Sequence, residues 1–290
     1  MLKEFSNIDS VKTISLTNED KVNGVVIISH GMAEHMGRYS WLTNKLNKDG
    51  YHVIGHDHRG HGKWIKNGFK EGVFHSSNGW NLVADDLTNL IYDSQAEFPN
   101  YKHYLLAHSM GSYVALSAIN KNLSLSGLIL SGSSHISPLT LFIQRMLIKI
   151  VILIKGRDKK SNFLDSITMR TFNDKFKPTQ TPNDWISTDM TNVKDYTNDP
   201  MCGFIASNGL WDDMASSFKS IYNKNHYSFS DHELPILIIS GDKDPVGEMG
   251  AGVYRLYEFL KSIFKNTSFI LLKNGRHEVF SGLDKSNTYL

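Results

Sequence analysis

In the run Tyr104-Leu105-Leu106-Ala107-His108-Ser109-Met110-Gly111 an apolar strand breaks at a serine set among small residues, and apolar spacing resumes at Val114, Ala115 and Leu116 as a helix. That layout is a nucleophile elbow, in which a tight strand-to-helix turn lifts the serine Oγ above the sheet edge. Glycine is usual at the first small position, and Ala107 stands there. A plain turn with Ser109 as helix N-cap produces the same local pattern, because serine is also preferred at that position. The rest of the chain therefore has to supply a base, an acid and an oxyanion hole for the catalytic reading to hold.

Working outward, residues 24–29 form an uninterrupted β-branched run, the pattern of a strand covered on both faces in a parallel sheet. His30-Gly31-Met32 leaves that strand as a loop, 39–48 reads as a helix stopped by Gly50, and 51–55 is the next strand. A helix over about 80–96 leads through Pro99-Asn100 into the elbow strand. Beyond the elbow, 125–130, 235–240 and 267–272 read as strands, the last two separated by a helix over about 251–264, and the alternating residues 11–17 read as an edge strand. Alternating strands and helices predict an α/β fold with a mostly parallel central sheet flanked by helices. The rhythm breaks between residues 134 and 232, where helices are expected over 139–154, 183–190 and 208–222. We read 1–133 and 233–290 as one core and 134–232 as an inserted helical cap.

A serine hydroxyl needs a base that is itself oriented by a third group. Asp244, in Ser240-Gly241-Asp242-Lys243-Asp244-Pro245, follows one strand directly, and His277, in Asn274-Gly275-Arg276-His277-Glu278, follows the last. Catalytic groups of open α/β sheets gather at such carboxyl ends. Asp244 is preferred to Asp242 because the added residues let its carboxylate reach across and Pro245 stiffens the turn. The oxyanion donors are expected to be the backbone N–H of Met110, after the serine, and of Met32, in the loop that Gly31 allows to approach closely.

Composition narrows the alternatives. The 31 basic and 29 acidic residues give a net charge of +2, which asks for no nucleic-acid partner. The single cysteine, Cys202, forms no internal disulfide, and Met1 to Ser10 lacks the apolar stretch of a secretory signal, so a cytoplasmic protein is expected. His56-Asp57-His58-Arg59-Gly60-His61 approaches a binuclear metal motif, but Gly60 replaces the expected aspartate and no second ligand set follows. The segment is read as a structural turn, with no metal and no cofactor expected.

The motifs His30-Gly31-Met32-Ala33-Glu34-His35-Met36-Gly37-Arg38-Tyr39, Asp57-His58-Arg59-Gly60-His61-Gly62, His108-Ser109-Met110-Gly111, Gly241-Asp242-Lys243-Asp244 and His277-Glu278 span both halves of the core. With them the chain resembles the monoacylglycerol lipase and bacterial lysophospholipase branch of the α/β-hydrolase superfamily, grouped with the serine aminopeptidase-type hydrolases. The resemblance implies the α/β-hydrolase fold and a serine esterase acting on a single-chain lipid ester, with Ser109, Asp244 and His277 as triad and Met32 and Met110 as oxyanion donors. Besides Ala107, the departures are Trp64, where a small polar residue is usual, and a short stretch after His277.

Residues 139–154 are nearly apolar all round, too short and too charged for a membrane span. They are read as a lid helix whose Leu141, Phe142 and Leu147 line an acyl pocket. Lys149, Lys155, Arg157, Lys159 and Lys160 are placed near lipid head groups for a transient membrane-surface contact. An aminopeptidase or small-ester hydrolase with the same triad is the enzymatic alternative, and would need a cap carboxylate such as Glu233, Asp212 or Asp213 to hold a substrate ammonium. A non-catalytic ligand-binding protein on this fold is the alternative of another class.

Overall fold

The computed structural model describes residues 10–289. Its sheet grows from the β-branched runs: β1 (Lys12–Ser15), β2 (Gly24–Ser29), then α1 (Ser40–Lys48) and β3 (Tyr51–His56). After α2 (Gly62–Lys66) and α3 (Gly79–Glu97) come β4 (His103–His108), α4 (Met110–Ala118) and β5 (Gly127–Ser131). Between β5 and β6 lie α5 (Pro138–Lys155), α6 (Asn162–Ile167), α7 (Met169–Asp174), α8 (Met190–Asn198) and α9 (Asn208–Ile221). The sheet resumes with β6 (Ile236–Gly241), α10 (Ala251–Lys261) and β7 (Thr267–Leu272), and α11 (Lys285–Tyr289) ends the described chain.

The strand order is β1-β3-β2-β4-β5-β6-β7, and every pair is parallel except β1 with β3. The continuous apolarity of β2 follows from its place inside this sheet. Val25 and Ile27 point into a cluster built with α3, α4, α9 and α10, while Val26 and Ile28 point the other way against Leu42 and Leu46 of α1. Side chains alternate across a strand, so a strand covered on both faces has no position left for a polar residue.

The helices between β5 and β6 start and stop where local chemistry dictates. Ser137 caps α5 by accepting the Thr140 N–H, Pro138 begins the helix, and Gly156 ends it at φ 86°. The helix expected over 183–190 is instead a 3-10 turn at Asp184–Ile186 followed by α8, because the Asp189 carboxylate accepts the Thr191 N–H and so sets the helix start at Met190. The short α2, α6 and α7 lie outside the sequence expectations; α6 is announced by Ser161, which accepts the Leu164 N–H. The helix α9 packs on α3, α4 and α5 and sends Leu210, Ala215, Phe218 and Ile221 into the cluster beneath the sheet.

Trp64 is buried in α2, donating its indole N–H to the Asp57 carbonyl at 2.7 Å. After His277, Tyr289 of α11 meets Trp41 of α1 edge-on at 6.5 Å. Leu105 is wholly buried in β4, directly before the elbow. Leu105→Ala is expected to lower stability by about 2–5 kcal/mol, read as a fall in the urea midpoint with little change in slope.

Candidate active site

The elbow takes a backbone that few residues tolerate. Ser109 lies at φ 51° and ψ −122° between β4 and α4, and its N–H donates to the Ser131 carbonyl at 2.8 Å. Two residues on, Gly111 runs so close to the end of β2 that a Cβ would overlap the carbonyl oxygens of Ser29 and His30. Ala107 is fully buried within β4, upstream of this contact, so its methyl is accommodated where one at Gly111 would not be.

Asp244 and His277 come from the loops after β6 and β7 and meet at 3.0 Å between Oδ2 and Nδ1. The Asp244 carboxylate is fully buried, and it accepts further hydrogen bonds from Ser240 Oγ and the Val246 N–H, both at 2.9 Å. Burial works to raise its pKa, yet the facing imidazole and these donors bring it below the usual carboxylate value. For His277 burial works downward, but the Asp244 carboxylate outweighs it and the ring holds its proton above the ordinary 6.5. Asp242 plays a different part, accepting the Asn274 N–H at 2.8 Å and so tying the two loops together.

Ser109, His277, Met32 and Met110 all line one cavity of about 790 Å³. Among the described residues no acceptor takes the backbone N–H of Met32 or Met110. The Met110 N–H also opens α4, where the helix dipole adds to the field felt by a negative oxygen.

Residues 20–284 match the family described as Serine aminopeptidase, S33 (Hydrolase_4). The chain belongs to the serine aminopeptidase S33 family. Similar proteins include a monoglyceride lipase homolog of Monkeypox virus, 23% identical over 273 residues, or 90% of this chain and 84% of that protein. The monoglyceride lipase of Rattus norvegicus is 34% identical over 118 residues, covering 40% of this chain and only 35% of the relative. A solved carboxyl esterase from Bacillus coagulans, in complex with glycerol, superimposes with a TM-score of 0.83 at 27% identity, covering 96% of this chain and 90% of that one. The chain is thus a hydrolase with the α/β-hydrolase fold, and its relatives support an ester hydrolase.

In this S33 hydrolase the cavity extends under the insert to Leu164, Phe172, Trp185, Met214 and Phe218. The sequence expectation for α5 is corrected here. The helix turns Thr140, Gln144 and Ile148 to the cavity, a stripe four residues apart, and Leu141, Phe142 and Leu147 do not line it. Leu141 packs against the core cluster and Phe142 is 61% exposed. A helix apolar nearly all round gives no periodic sign of its inner face, and its polar residues Thr140, Gln144, Arg145 and Lys149 divide between the cavity and the outside. Sequence reasoning also passed over Trp185, whose ring lies 5.0 Å from that of His277, and Glu34, which lines the cavity beside Gly31.

The carboxylates considered for a substrate ammonium are engaged elsewhere. Asp212 pairs with Lys149 and Arg157, Asp213 with Arg157, and Glu233 with Lys265, and none lines the cavity. The histidines of 56–61 serve the fold. The His58 N–H donates to His30 Nε2 at 2.9 Å, and Asp57 accepts the Met36 and Lys63 N–H groups at 2.8 and 2.7 Å. Burial pushes His56 and His61 down to about 3 and keeps them neutral.

Among the described residues one trio of metal-type donors lies within 4.8 Å: His35, Asp199 and Cys202. His35 Nδ1 accepts the Gly37 N–H, which leaves the ring proton on Nε2, shared with Asp199 Oδ2 at 2.9 Å. The His35–Asp199 contact ties the segment between β5 and β6 to the loop after β2.

The His277–Asp244 pairing predicts a titration. The His277 ring is expected to titrate above 6.5 by NMR, and Asp244→Asn should lower it, since burial is then opposed only by the charges of Glu278 and Glu34.

Proposed function

We propose that this chain is a serine carboxylic-ester hydrolase that releases fatty acid from a monoacylglycerol or a lysophospholipid through an acyl-serine intermediate. The observation that carries the reading is the coincidence, in one largely apolar cavity, of Ser109, an Asp244-oriented His277 and two unclaimed backbone donors. In the first step His277 Nε2 takes the Ser109 hydroxyl proton as Oγ bonds to the ester carbonyl carbon, and the carbonyl oxygen becomes an oxyanion between the Met32 and Met110 N–H groups. His277 then gives that proton to the departing alcohol oxygen, leaving acyl-Ser109. In the second step His277 takes a proton from water, which attacks the acyl carbon. The tetrahedral intermediate collapses to fatty acid as the proton returns to Ser109. Proton and acyl transfer complete the cycle, so the mechanism calls on no metal or cofactor. Ser109 Oγ has no hydrogen-bond partner among the described residues, in keeping with sites whose nucleophile and base close up only around substrate.

In this reading 134–232 acts as a cap over a core of 1–133 and 233–290, with Ile148, Met214 and Phe218 forming acyl-chain walls. The outer face of α5 supports a membrane-surface contact. Leu139, Phe142, Leu153 and Ile154 are 61–87% exposed, with Lys155 beside them, and amphipathic helices of this kind rest on lipid surfaces. No helix among the described residues is long and apolar enough to cross a membrane. With Asp212, Asp213 and Glu233 paired away from the cavity, the aminopeptidase alternative would need another carboxylate to hold a substrate ammonium, such as Asp165 or Asp174, which line the cavity and pair with Arg170 and Lys177.

Release of fatty acid from monoacylglycerols and lysophospholipids should fall at least ~10³-fold in Ser109→Ala, with loss of fluorophosphonate labelling. Unchanged turnover in that variant would defeat the esterase reading, and absence of any turnover in the native chain would favour a ligand-binding role. Because only neutral His277 can accept the proton, activity should climb with pH through a midpoint above 6.5. A chain-length comparison tests the cavity walls. Ile148→Ser should impair long-chain esters more than short ones, whereas Phe142→Ser should leave soluble short esters unaffected and slow only hydrolysis at vesicle surfaces.

A further inference from the structure

The loop that carries Met32 is bent in an uncommon way. Ala33 lies at φ 55°, in the left-handed region that a residue with a Cβ rarely occupies without outside support. Two residues before it, the Gly31 N–H donates to Glu34 Oε1 at 2.5 Å, and the same oxygen accepts the Tyr39 hydroxyl at 2.9 Å. The other carboxylate oxygen pairs with Arg38 Nε at 3.3 Å. Glu34 is 4% exposed, so its charge is kept by these partners rather than by water. Arg38 reaches onward to Glu278 Oε2 at 2.6 Å and to Asn192 Oδ1 at 3.1 Å, and Asn192 itself donates to Glu278 at 2.6 Å. A buried chain of charges thus runs from the loop after β2 to the residue beside His277 and to α8 of the insert.

We propose that Glu34 is a positioning residue that holds the Gly31–Ala33 bend by accepting the Gly31 N–H and so aims the Met32 N–H at the developing oxyanion. The inference rests on the ester-hydrolase reading above. The bend closes a clasp across four residues: the carboxylate folds back on the N–H three positions earlier, and Met32 and Ala33 lie inside the clasp. With the Gly31 N–H tied to Glu34, rotation of the peptide between Gly31 and Met32 is restricted. Because a charge-assisted hydrogen bond is shorter and stronger than a neutral one, a carboxylate holds the bend more firmly than an amide. Arg38 and Tyr39 in turn fix the carboxylate, and Asn192 carries the same framework to the insert.

The test compares Glu34→Leu, which removes the acceptor, with Glu34→Gln, which keeps an oxygen for the Gly31 N–H but sets an amide against Arg38. Substrates are a p-nitrophenyl ester and its thiono counterpart, whose sulfur gains little from oxyanion-hole hydrogen bonds. Glu34→Leu should lower kcat for the oxo ester by ~10²-fold, the scale for losing one oxyanion donor. Its KM should change little, and the oxo-to-thiono rate ratio should narrow. Glu34→Gln should recover most of the loss. A ratio equal to that of the native chain in Glu34→Leu would overturn the proposal, even if overall activity fell, because a merely structural defect slows both esters alike, and so would a Glu34→Gln ratio no nearer the native one than that of Glu34→Leu. If Glu34→Leu does not fold, Glu34→Ala, which also removes the acceptor, takes its place: a narrowed ratio supports the clasp and a native ratio rejects it. A loss confined to KM on substrates with hydroxylated leaving groups would also reject it, assigning Glu34 to substrate contact. Ser109→Ala run in parallel separates the two levels, since activity surviving that change overturns the esterase reading itself.

Discussion

Gly111 pressed against the carbonyl oxygens of Ser29 and His30 is the contact on which the geometry of the site depends. It brings α4 onto the end of β2, and the chain can make that approach only if the preceding residue pair turns sharply. Ser109 supplies the turn at φ 51°, a conformation costing about 1–3 kcal/mol that persists only where surroundings over-determine it. Here the surroundings are β4 on one side, buried through Leu105, Leu106 and Ala107, and the buried face of α4 on the other. The same contact sets the loop after β2 beside Met110, so one close approach arranges both the serine and the pair of free N–H groups.

Charge burial follows a consistent rule around this frame. Asp244 is wholly enclosed, but it accepts from Ser240, Val246 and His277, so removing it from water leaves it ionised rather than protonated. His56 and His61, buried without a facing carboxylate of comparable reach, go the opposite way and stay neutral. One residue type therefore takes two protonation behaviours within a single sheet edge, and the difference lies in what faces the ring.

Much of this was legible in the sequence because it is governed by local or strictly periodic constraints. The β2 run reads as a doubly covered strand because period-two alternation with no polar position leaves no other solution, and Val25 and Val26 do face opposite clusters. The approach of Asp244 to His277 was legible from strand-end placement together with the longer reach from the strand and the stiffening Pro245 that favoured Asp244 over Asp242. The insert was not, for a physical reason: its elements are set by capping side chains and by what they pack against. Asp189 moved a helix start to the last residue of the expected 183–190 span, and α5 gave no periodic clue to which apolar residues faced inward. Glu34 sits inside a legible motif, yet its role was hidden, since its hydrogen bond to Gly31 depends on a backbone bend that no residue type announces.

The two faces of α5 pose the remaining physical question, because exposed Phe142, Leu153 and Ile154 are costly in water if nothing covers them. A core helix would have hidden that surface, and Ile148 and Val151 show that one stripe of α5 is indeed hidden. Yet α5 is held to the rest of the chain by polar ties as well: Lys149 and Arg157 converge on Asp212 of α9, and Asn208 donates to the Gly156 carbonyl at 2.8 Å. Such ties fix the helix end without covering its outer face. A helix anchored in this way keeps its inner stripe over the cavity while leaving the outer one free for an apolar surface. An ester hydrolase whose substrate is itself dissolved in lipid would use both faces, the outer to meet the lipid and the inner to hold the acyl chain drawn from it.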